Sequence, residues 1–470
     1  MPIRYSLVLL FFLILMLAGC KDDPASTRVL PPEFNLPDSY SALSEEDFFQ
    51  SLNVTDPQGL DLQVVVEGLP GWLEFLPHEK SLQGFPLPDD TGLYELKVTA
   101  NNGTHSVSEE FRVRVFFSEK EIHLQDRMES SLNSITPGLR GLSVAVVDEH
   151  GDLYRAYTGN MGSGASGPIY RETSMFRVAS VTKPMTAALV LKLVEDGLVD
   201  LDDKLSEYYT TPLPNADSMT IRQILSHTAG IYDHLNSSRF WSRNYSGRVW
   251  TVEDIVQVAV QNGSLFNPGV SYGYSNTGFC VLGALVEEVT GLEISEAYEQ
   301  VLFNPLGLEY ILYDNFSNPD NPIPDLAYNN RSYEYHLTAA GAAGAIAASP
   351  SDVAMLGWNL YGGRIISPEI SGKMNINYGS PVGGQNYGLG TRIWTFAGIQ
   401  HHGHTGNLMD YRNILMYIPE ADISIAMHSH DPHSNWFSLV DAALIYVSNN
   451  FSTTMAKRLP AHYYEPIIRE

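Results

Sequence analysis

Residues 176–189 read FRVASVTKPMTAAL, and in that stretch Ser180 stands three places before Lys183. A serine hydroxyl is a poor nucleophile until a base takes its proton. A lysine held in apolar surroundings has its pKa lowered and can act as that base. Even when charged it stabilises a neighbouring alkoxide or phenolate. On a helix the i, i+3 spacing puts both side chains on one face, about 5–6 Å apart at Cβ. The run that follows, MTAALVLKLVEDGLV, is apolar enough to be buried. The spacing therefore predicts a rigid helix whose first turn faces a cleft, with its leading N–H groups free of intrahelical partners. Pro184 falls in that first turn, where a missing N–H costs little. Taken alone, S-x-x-K describes equally well a serine cap followed by a solvated lysine.

Two further stretches share the chemistry. Residues 272–278 read YGYSNTG, which places Tyr274 and Asn276 two apart in a Gly-rich turn before an apolar helix. From there both side chains can reach one cleft. Residues 403–406 read GHTG, giving His404, Thr405 and Gly406 on a candidate cleft-edge strand. Serine-x-x-lysine, tyrosine-x-asparagine and a basic-residue-Thr-Gly triplet, in this order, resemble the serine β-lactamase and penicillin-binding-protein superfamily. The likeness is greatest to its class C branch, which holds class C β-lactamases, D-alanyl-D-alanine carboxypeptidases, D-aminopeptidases and related esterases. Phe176 and Ala179, the segment Leu225-Ser226-His227-Thr228-Ala229-Gly230-Ile231, Asn267-Pro268-Gly269 and the stretch 344–352 extend it over roughly residues 120–448.

The resemblance implies a role for each residue. Ser180 would be the acyl-accepting nucleophile, and Lys183 with Tyr274 the proton-relay pair, either of which could be the base. Asn276 would bond Lys183 and the substrate amide. His404, where lysine often stands, would help bind the substrate or its carboxylate together with Thr405 and Gly406. The N–H groups of Ser180 and Asn407 would form the oxyanion hole. Histidine at 404 leans toward carboxypeptidase-like and esterase-like members. Asp410 departs from the glycine usual near that position. No cofactor and no metal is implied.

Rival chemistries are weaker. Gly269-Val270-Ser271-Tyr272-Gly273 fits G-x-S-x-G, but Phe266-Asn267-Pro268 ahead of it is loop chemistry, where a nucleophile elbow needs a buried strand. His401, His402, His404, His428, His430 and His433 crowd the late chain without an H-E-x-x-H or an acid-rich ligand set. His227 reads as a structural residue that fixes its loop. A non-catalytic binding lipoprotein on a dead hydrolase fold is the other class of reading, yet every residue type the chemistry needs is present.

The 470 residues carry 54 acids against 28 basic residues, a net charge of −26. Phosphate binding needs clustered Lys and Arg, so nucleic acid is an unsuitable partner. The apolar run Leu7 to Leu17 is too short to span a bilayer and has the length of a signal-peptide core. It ends in Leu17-Ala18-Gly19-Cys20, which resembles a bacterial lipoprotein box. That implies cleavage before Cys20 and a membrane-anchoring lipid on its thiol, in a bacterial cell envelope. Lys21-Asp22-Asp23 would then put charge just outside the anchor. Cys280, the other of two cysteines, lies in an apolar run and reads as a buried hydrophobe.

These elements must be carried by a larger framework. Residues 1–19 read as the signal and 20–33 as a polar, Pro-containing tether. Residues 34–117 alternate in LDLQVVVEGL, GLYELKVTA and EFRVRVFF between turn-forming PDDTG and NNGTH, as a small all-β sandwich does. The pattern resembles immunoglobulin-like or cadherin-like modules of bacterial surface proteins, with Trp72 as a core anchor. From 118 to 470 the expected class is α/β (α+β), an antiparallel sheet flanked by helices with an all-helical subdomain. A helix at 119–135 and a hairpin in GLSVAVVDEHGDLYRAYTG come first. Helices follow over 183–310, then strands in YGLGTRIW, NILMYI and DISIAMHS, and a closing helix near 435–450. Ser349-Pro350-Ser351-Asp352 reads as a helix start. The favoured activity is hydrolysis of D-alanyl peptides of cell-wall type. Small esters come second and β-lactams third.

Overall fold

The computed structural model describes residues 29–135, 141–159, 170, 173–238, 240, 248–314, 336–379, 386–396, 399–408 and 411–430. Cys20, Asp410, His433 and the helix expected near 435–450 lie outside the described residues. Among the described residues no helix is long and apolar enough to cross a membrane. The chain forms two compact units, one built from Met1–Leu87 with Tyr94–Arg114 and the other mainly from Val115 onward.

The first unit is all-β, as its alternation predicts. Ser39–Leu43, Ser106–Phe116, Gly92–Asn101 and Gln63–Glu67 lie in that order in one sheet, and Phe48–Ser51, Ser81–Gly84 and Leu73–Leu76 form a second. In Gln63–Glu67 the two buried residues, Val64 and Val66, alternate with exposed ones. Leu82 from one sheet and Leu96, Val98, Phe111 and Val113 from the other are almost wholly buried. Trp72 sits edge-on to Phe48 and Tyr94, with ring centroids 6.0 and 5.8 Å away. A Cβ at Gly84 would stand 2.3 Å from the Trp72 carbonyl oxygen, so only glycine lets the strands close there.

In the second unit a seven-stranded sheet runs in the order Leu153–Gly159, Gly141–Val147, Ile423–Ser429, Tyr411–Ile418, Ile399–Leu408, Arg392–Phe396 and Asn386–Tyr387. The early hairpin therefore pairs with a late strand, Leu142 facing Ser429, and the sheet draws on both ends of the domain. Every neighbouring pair is antiparallel. The helix Glu119–Ile135 is clamped to the outer strand by Gln125. Its side chain accepts from Tyr157 N and donates to Tyr157 O, both at 2.9 Å. The helix Pro350–Tyr361 covers the strands 141–147 and 423–429. Its start is as expected, with the Ser349 hydroxyl accepting from Asp352 N at 3.1 Å.

The remaining helices form the second layer of the site. Thr182–Glu195 packs on Asn276–Thr290, which also meets Ile221–Leu225 and Val252–Asn262. Val181, Met185, Val190, Leu225, Phe279, Leu282 and Leu285 share one core with Leu415 and Ala426 of the sheet. The expected strand through YGLGTRIW is two pieces, Asn386–Tyr387 and Arg392–Phe396. Gly390 breaks it at φ 67°, where a Cβ would lie 2.5 Å from that of Ala187. Residues 268–271 are turn and bend with no strand before Ser271, so the G-x-S-x-G match is not a nucleophile elbow.

Candidate active site

Ser180 does not sit on the regular helix that its spacing suggests. It occupies a 3-10 turn, Ala179–Val181, and the α-helix begins at Thr182. Ala179 just before it adopts φ 52°, a left-handed conformation costing about 1–2 kcal/mol for a residue with a Cβ. The surroundings hold that turn in place. Val178 N donates to Ile346 O at 3.0 Å, Ile346 N donates to the Thr182 hydroxyl at 3.2 Å, and Asn413 Nδ2 donates to Arg177 O at 2.9 Å. Ser180 itself is half-buried.

Lys183 is fully buried, and its Nζ has three neighbours at bonding distance. They are Ser180 Oγ at 3.0 Å, Asn276 Oδ1 at 2.7 Å and Ala343 O at 2.8 Å. Burial disfavours the ammonium and Asp233 partly offsets this, leaving the pKa lowered to about 7. Two of the three neighbours are carbonyl oxygens, which can only accept. In the neutral amine both N–H bonds are taken by them, and the lone pair is left pointing at Ser180 Oγ. On the other side Tyr274 Oη donates to Ser180 Oγ at 3.0 Å. Burial pushes the Tyr274 phenol well above its ordinary pKa. The amine is thus the group poised to lose and gain a proton near neutrality, and the phenol stays protonated.

Asn276 is placed by its helix, which starts where the Ser275 hydroxyl accepts from Gly278 N at 3.2 Å. Its Nδ2 donates to Asp233 Oδ2 at 2.9 Å. His404 is also fully buried. Its Nδ1 faces Thr405 O at 2.7 Å, so the proton lies there, and Nε2 accepts from Tyr387 Oη at 3.1 Å. Burial with Arg392 and Lys183 nearby holds its pKa well below the usual value. It is a neutral ring, its centroid 6.3 Å from that of Tyr274.

Thr405 and Asn407 are exposed while His404 and Gly406 are buried, as strand alternation requires. The strand Arg392–Phe396 pairs with Ile399–Leu408 only as far as Gly403, so residues 404–408 extend past their neighbour's end. A Cβ at Gly406 would stand 2.0 Å from Val178 O, which places this strand directly against the Ser180 turn. Ser180, Lys183, Tyr274, Asn276 and His404 therefore converge around one point, with Thr405, Gly406 and Asn407 along its edge.

The structure adds residues the motifs did not name. Asp233 is buried behind Asn276, in a turn whose sequence, GIYDHL, carries no motif of its own. Arg392, which the sequence marked only as part of a strand, has its guanidinium 5.6 Å from the Tyr274 ring centroid. His227 accepts from Ser275 N at 3.2 Å, and its ring lies 4.3 Å from that of Tyr274, which fixes the loop as expected. Cys280 is free and buried. Among the described residues no group of histidines, cysteines and acids could hold a metal ion.

The profile of the beta-lactamase family matches residues 123–449. The chain belongs to the beta-lactamase family. Penicillin-binding protein 4* of Bacillus subtilis is 29% identical over 155 residues, covering 32% of this chain and 33% of that protein. Esterase EstB of Burkholderia gladioli is 33% identical over 183 residues, 35% of this chain and 45% of the esterase. The matches to these two relatives thus span less than half of their length. The solved D-amino acid amidase of Ochrobactrum anthropi SV3 superposes with a TM-score of 0.62 at 23% identity, covering 71% of this chain and 99% of the amidase. At that identity the amidase shows a shared fold, the mixed sheet-and-helix architecture of this family.

Proposed function

We propose that this protein is a serine hydrolase that cleaves an amide, peptide or ester carbonyl through an acyl-enzyme on Ser180. The observation that carries the reading is Ser180 Oγ held 3.0 Å from both Lys183 Nζ and Tyr274 Oη, with the lysine pKa near neutrality. Lys183 Nζ takes the hydroxyl proton as Oγ bonds the carbonyl carbon. The carbonyl π pair moves onto oxygen, where the N–H groups of Ser180 and Asn407 receive it. Collapse expels the amine or alkoxide, which takes a proton from Tyr274 Oη, and that oxygen recovers one from the Lys183 ammonium. Water then repeats the sequence and frees Ser180. Asn276 bonds the lysine and His404 lies beside the tyrosine, and Thr405 to Asn407, beyond the last described pair with the strand Arg392–Phe396, would offer a strand edge to the substrate backbone.

D-alanyl peptides of cell-wall type are the favoured substrates. The half-buried Arg392 beside Tyr274 gives the site a fixed cation suited to a terminal carboxylate, and one relative is a penicillin-binding protein. The likeness to an esterase supports small esters as the second reading. The cysteine after a short apolar run supports a lipid anchor at Cys20 in the bacterial envelope. The β-unit, read as an immunoglobulin-like module over 34–117, would be the spacer before a hydrolase domain over 118–470.

The test is intact mass of residues 21–470 after incubation with a fluorescent penicillin, beside Ser180→Ala. A penicilloyl adduct absent from the variant supports a pocket shaped for D-alanyl-D-alanine. Turnover without adduct points to β-lactam hydrolysis. With neither, a fluorophosphonate adduct on Ser180 would leave the esterase reading, and its absence would overturn the hydrolase reading altogether.

A further inference from the structure

We infer that Asp233 is a positioning residue for acylation: by fixing which end of the Asn276 amide faces Lys183, it keeps the lysine lone pair aimed at Ser180. The inference rests on the acyl-enzyme reading above and assigns it a residue that the motifs omit.

A carboxylate only accepts hydrogen bonds, so the Asn276 atom 2.9 Å from Asp233 Oδ2 must be the Nδ2 donor. The amide is planar, so its oxygen is then forced toward Lys183 Nζ, 2.7 Å away. With Ala343 O as the second carbonyl, both hydrogens of the neutral amine are committed and the lone pair faces Ser180 Oγ. Rotate the amide by half a turn and Nδ2 would donate into that lone pair. The base would be consumed by its own neighbour.

Asp233 is itself held. Its Oδ1 accepts from Leu235 N at 3.1 Å, capping the turn His234–Asn236. His234 N and Nδ1 each lie 2.9 Å from the Thr277 hydroxyl, and Nε2 lies 2.8 Å from Ala339 O. The turn is thereby pinned to the first residues of the helix that carries Asn276. The two carboxylate oxygens serve two different donors, Leu235 N and Asn276 Nδ2. An amide at position 233 has one oxygen, so it cannot do both. If that oxygen keeps the turn, an NH2 group meets Asn276 and drives the flip.

The groups facing Lys183 set the sign of a pH experiment. Tyr274 comes from the turn before the helix, Asn276 and Cys280 from the helix, Asp233 and His234 from the capped turn, His227 from its loop, Arg392 from its strand and His404 from the cleft-edge strand. Asp233 raises the lysine pKa most among them and Cys280 raises it less, while Arg392 lowers it. Removing the Asp233 charge, and turning a donor onto Nζ, both favour the neutral amine.

The experiment follows the rate of fluorophosphonate labelling of Ser180 against pH in wild type, Asp233→Asn, and the exchange variant Asp233→Asn with Asn276→Asp. In the exchange variant the carboxylate at 276 accepts from both Lys183 and the new amide, so an acceptor again faces the lysine. Melting temperatures establish that each variant is folded. Asp233→Asn is expected to label about 100-fold or more slowly, with its acid limb displaced about one pH unit downward. The exchange variant is expected to recover at least tenfold over it, with the limb displaced upward by the adjacent carboxylate. If Asp233→Asn does not fold, the exchange variant is read directly against wild type, and recovery to within about tenfold supports the proposal. Wild-type rate and limb in folded Asp233→Asn, or no recovery in a folded exchange variant, would overturn it. A wild-type Ser180 that is never labelled overturns the acyl-enzyme reading and this one with it; normal wild-type labelling with an indifferent Asp233→Asn removes this one only.

Discussion

Gly406 lies so close to the backbone before Ser180 that a Cβ on it would come within 2.0 Å of Val178 O. The contact joins the cleft-edge strand to the turn that carries Ser180. The two N–H groups assigned to the oxyanion belong to these two segments, so their separation is set here. Gly406→Ala must push the strand away, because the obstacle is backbone. A displacement of about 1 Å at a reacting centre costs on the order of 100-fold. We expect that loss in Ser180 labelling, with a smaller fall in melting temperature, and unchanged labelling would show that the strand does not contribute.

The lysine predicts the pH profile of acylation. With its pKa brought down to about 7, the neutral amine is scarce below that pH and dominant above it. The labelling rate of Ser180 should therefore rise about tenfold per unit through pH 5–6 and level off above pH 8. Lys183→Arg should lose the limb together with at least about 100-fold of the rate, since arginine stays protonated. A wild-type rate that is flat from pH 5 to 9 would remove Lys183 as the base.

The three chemical motifs are legible because each is a short run in which the candidate groups are neighbours in sequence. Ser180 with Lys183, and Tyr274 with Asn276, were found for that reason, and their meeting point followed from the family resemblance. The strand alternation of the β-unit and the hairpin at 141–159 were legible through their period. Asp233 and Arg392 were not, because each acts through a contact made across the fold with no local pattern to mark it. His404 shows a different limit. Its place in the triplet was readable, but whether it is a charged group or a buried neutral ring depends on Tyr387 and on burial, which only the fold supplies. The 3-10 turn that holds Ser180 just ahead of the helix is not legible either, since it depends on Ala179 at positive φ turning the chain before the helix begins.

Buried histidines predict acid sensitivity of the second unit. Burial holds His401 and His402 down at about 4 and His428 at about 3, against about 6.5 in the unfolded chain. Between those values the unfolded state binds the extra proton, so stability falls as pH drops below about 6.5 and continues to fall toward pH 4. The slope is about 1.4 kcal/mol per pH unit for each such histidine. His402→Phe should flatten the decline of melting temperature between pH 6.5 and 4.5 relative to wild type. An equal slope in the variant would mean that His402 is reached by solvent in the folded protein.

Arg392 makes the choice of substrate testable. Its guanidinium sits 5.6 Å from the Tyr274 ring centroid and 6.0 Å from that of Tyr387, beside the proposed proton relay yet not part of it. If a terminal carboxylate is part of the substrate, Arg392→Met should raise KM for a D-alanyl-D-alanine peptide about 10-fold or more, the scale of one charge-assisted hydrogen bond. A neutral ester of similar size should be far less affected in KM. Loss of the Arg392 charge also relieves Lys183 of a nearby cation, so the acid limb should move upward in pH for both substrates. Equal KM changes for acid and ester would assign Arg392 to the electrostatics of the lysine alone, and would turn the substrate reading toward neutral esters.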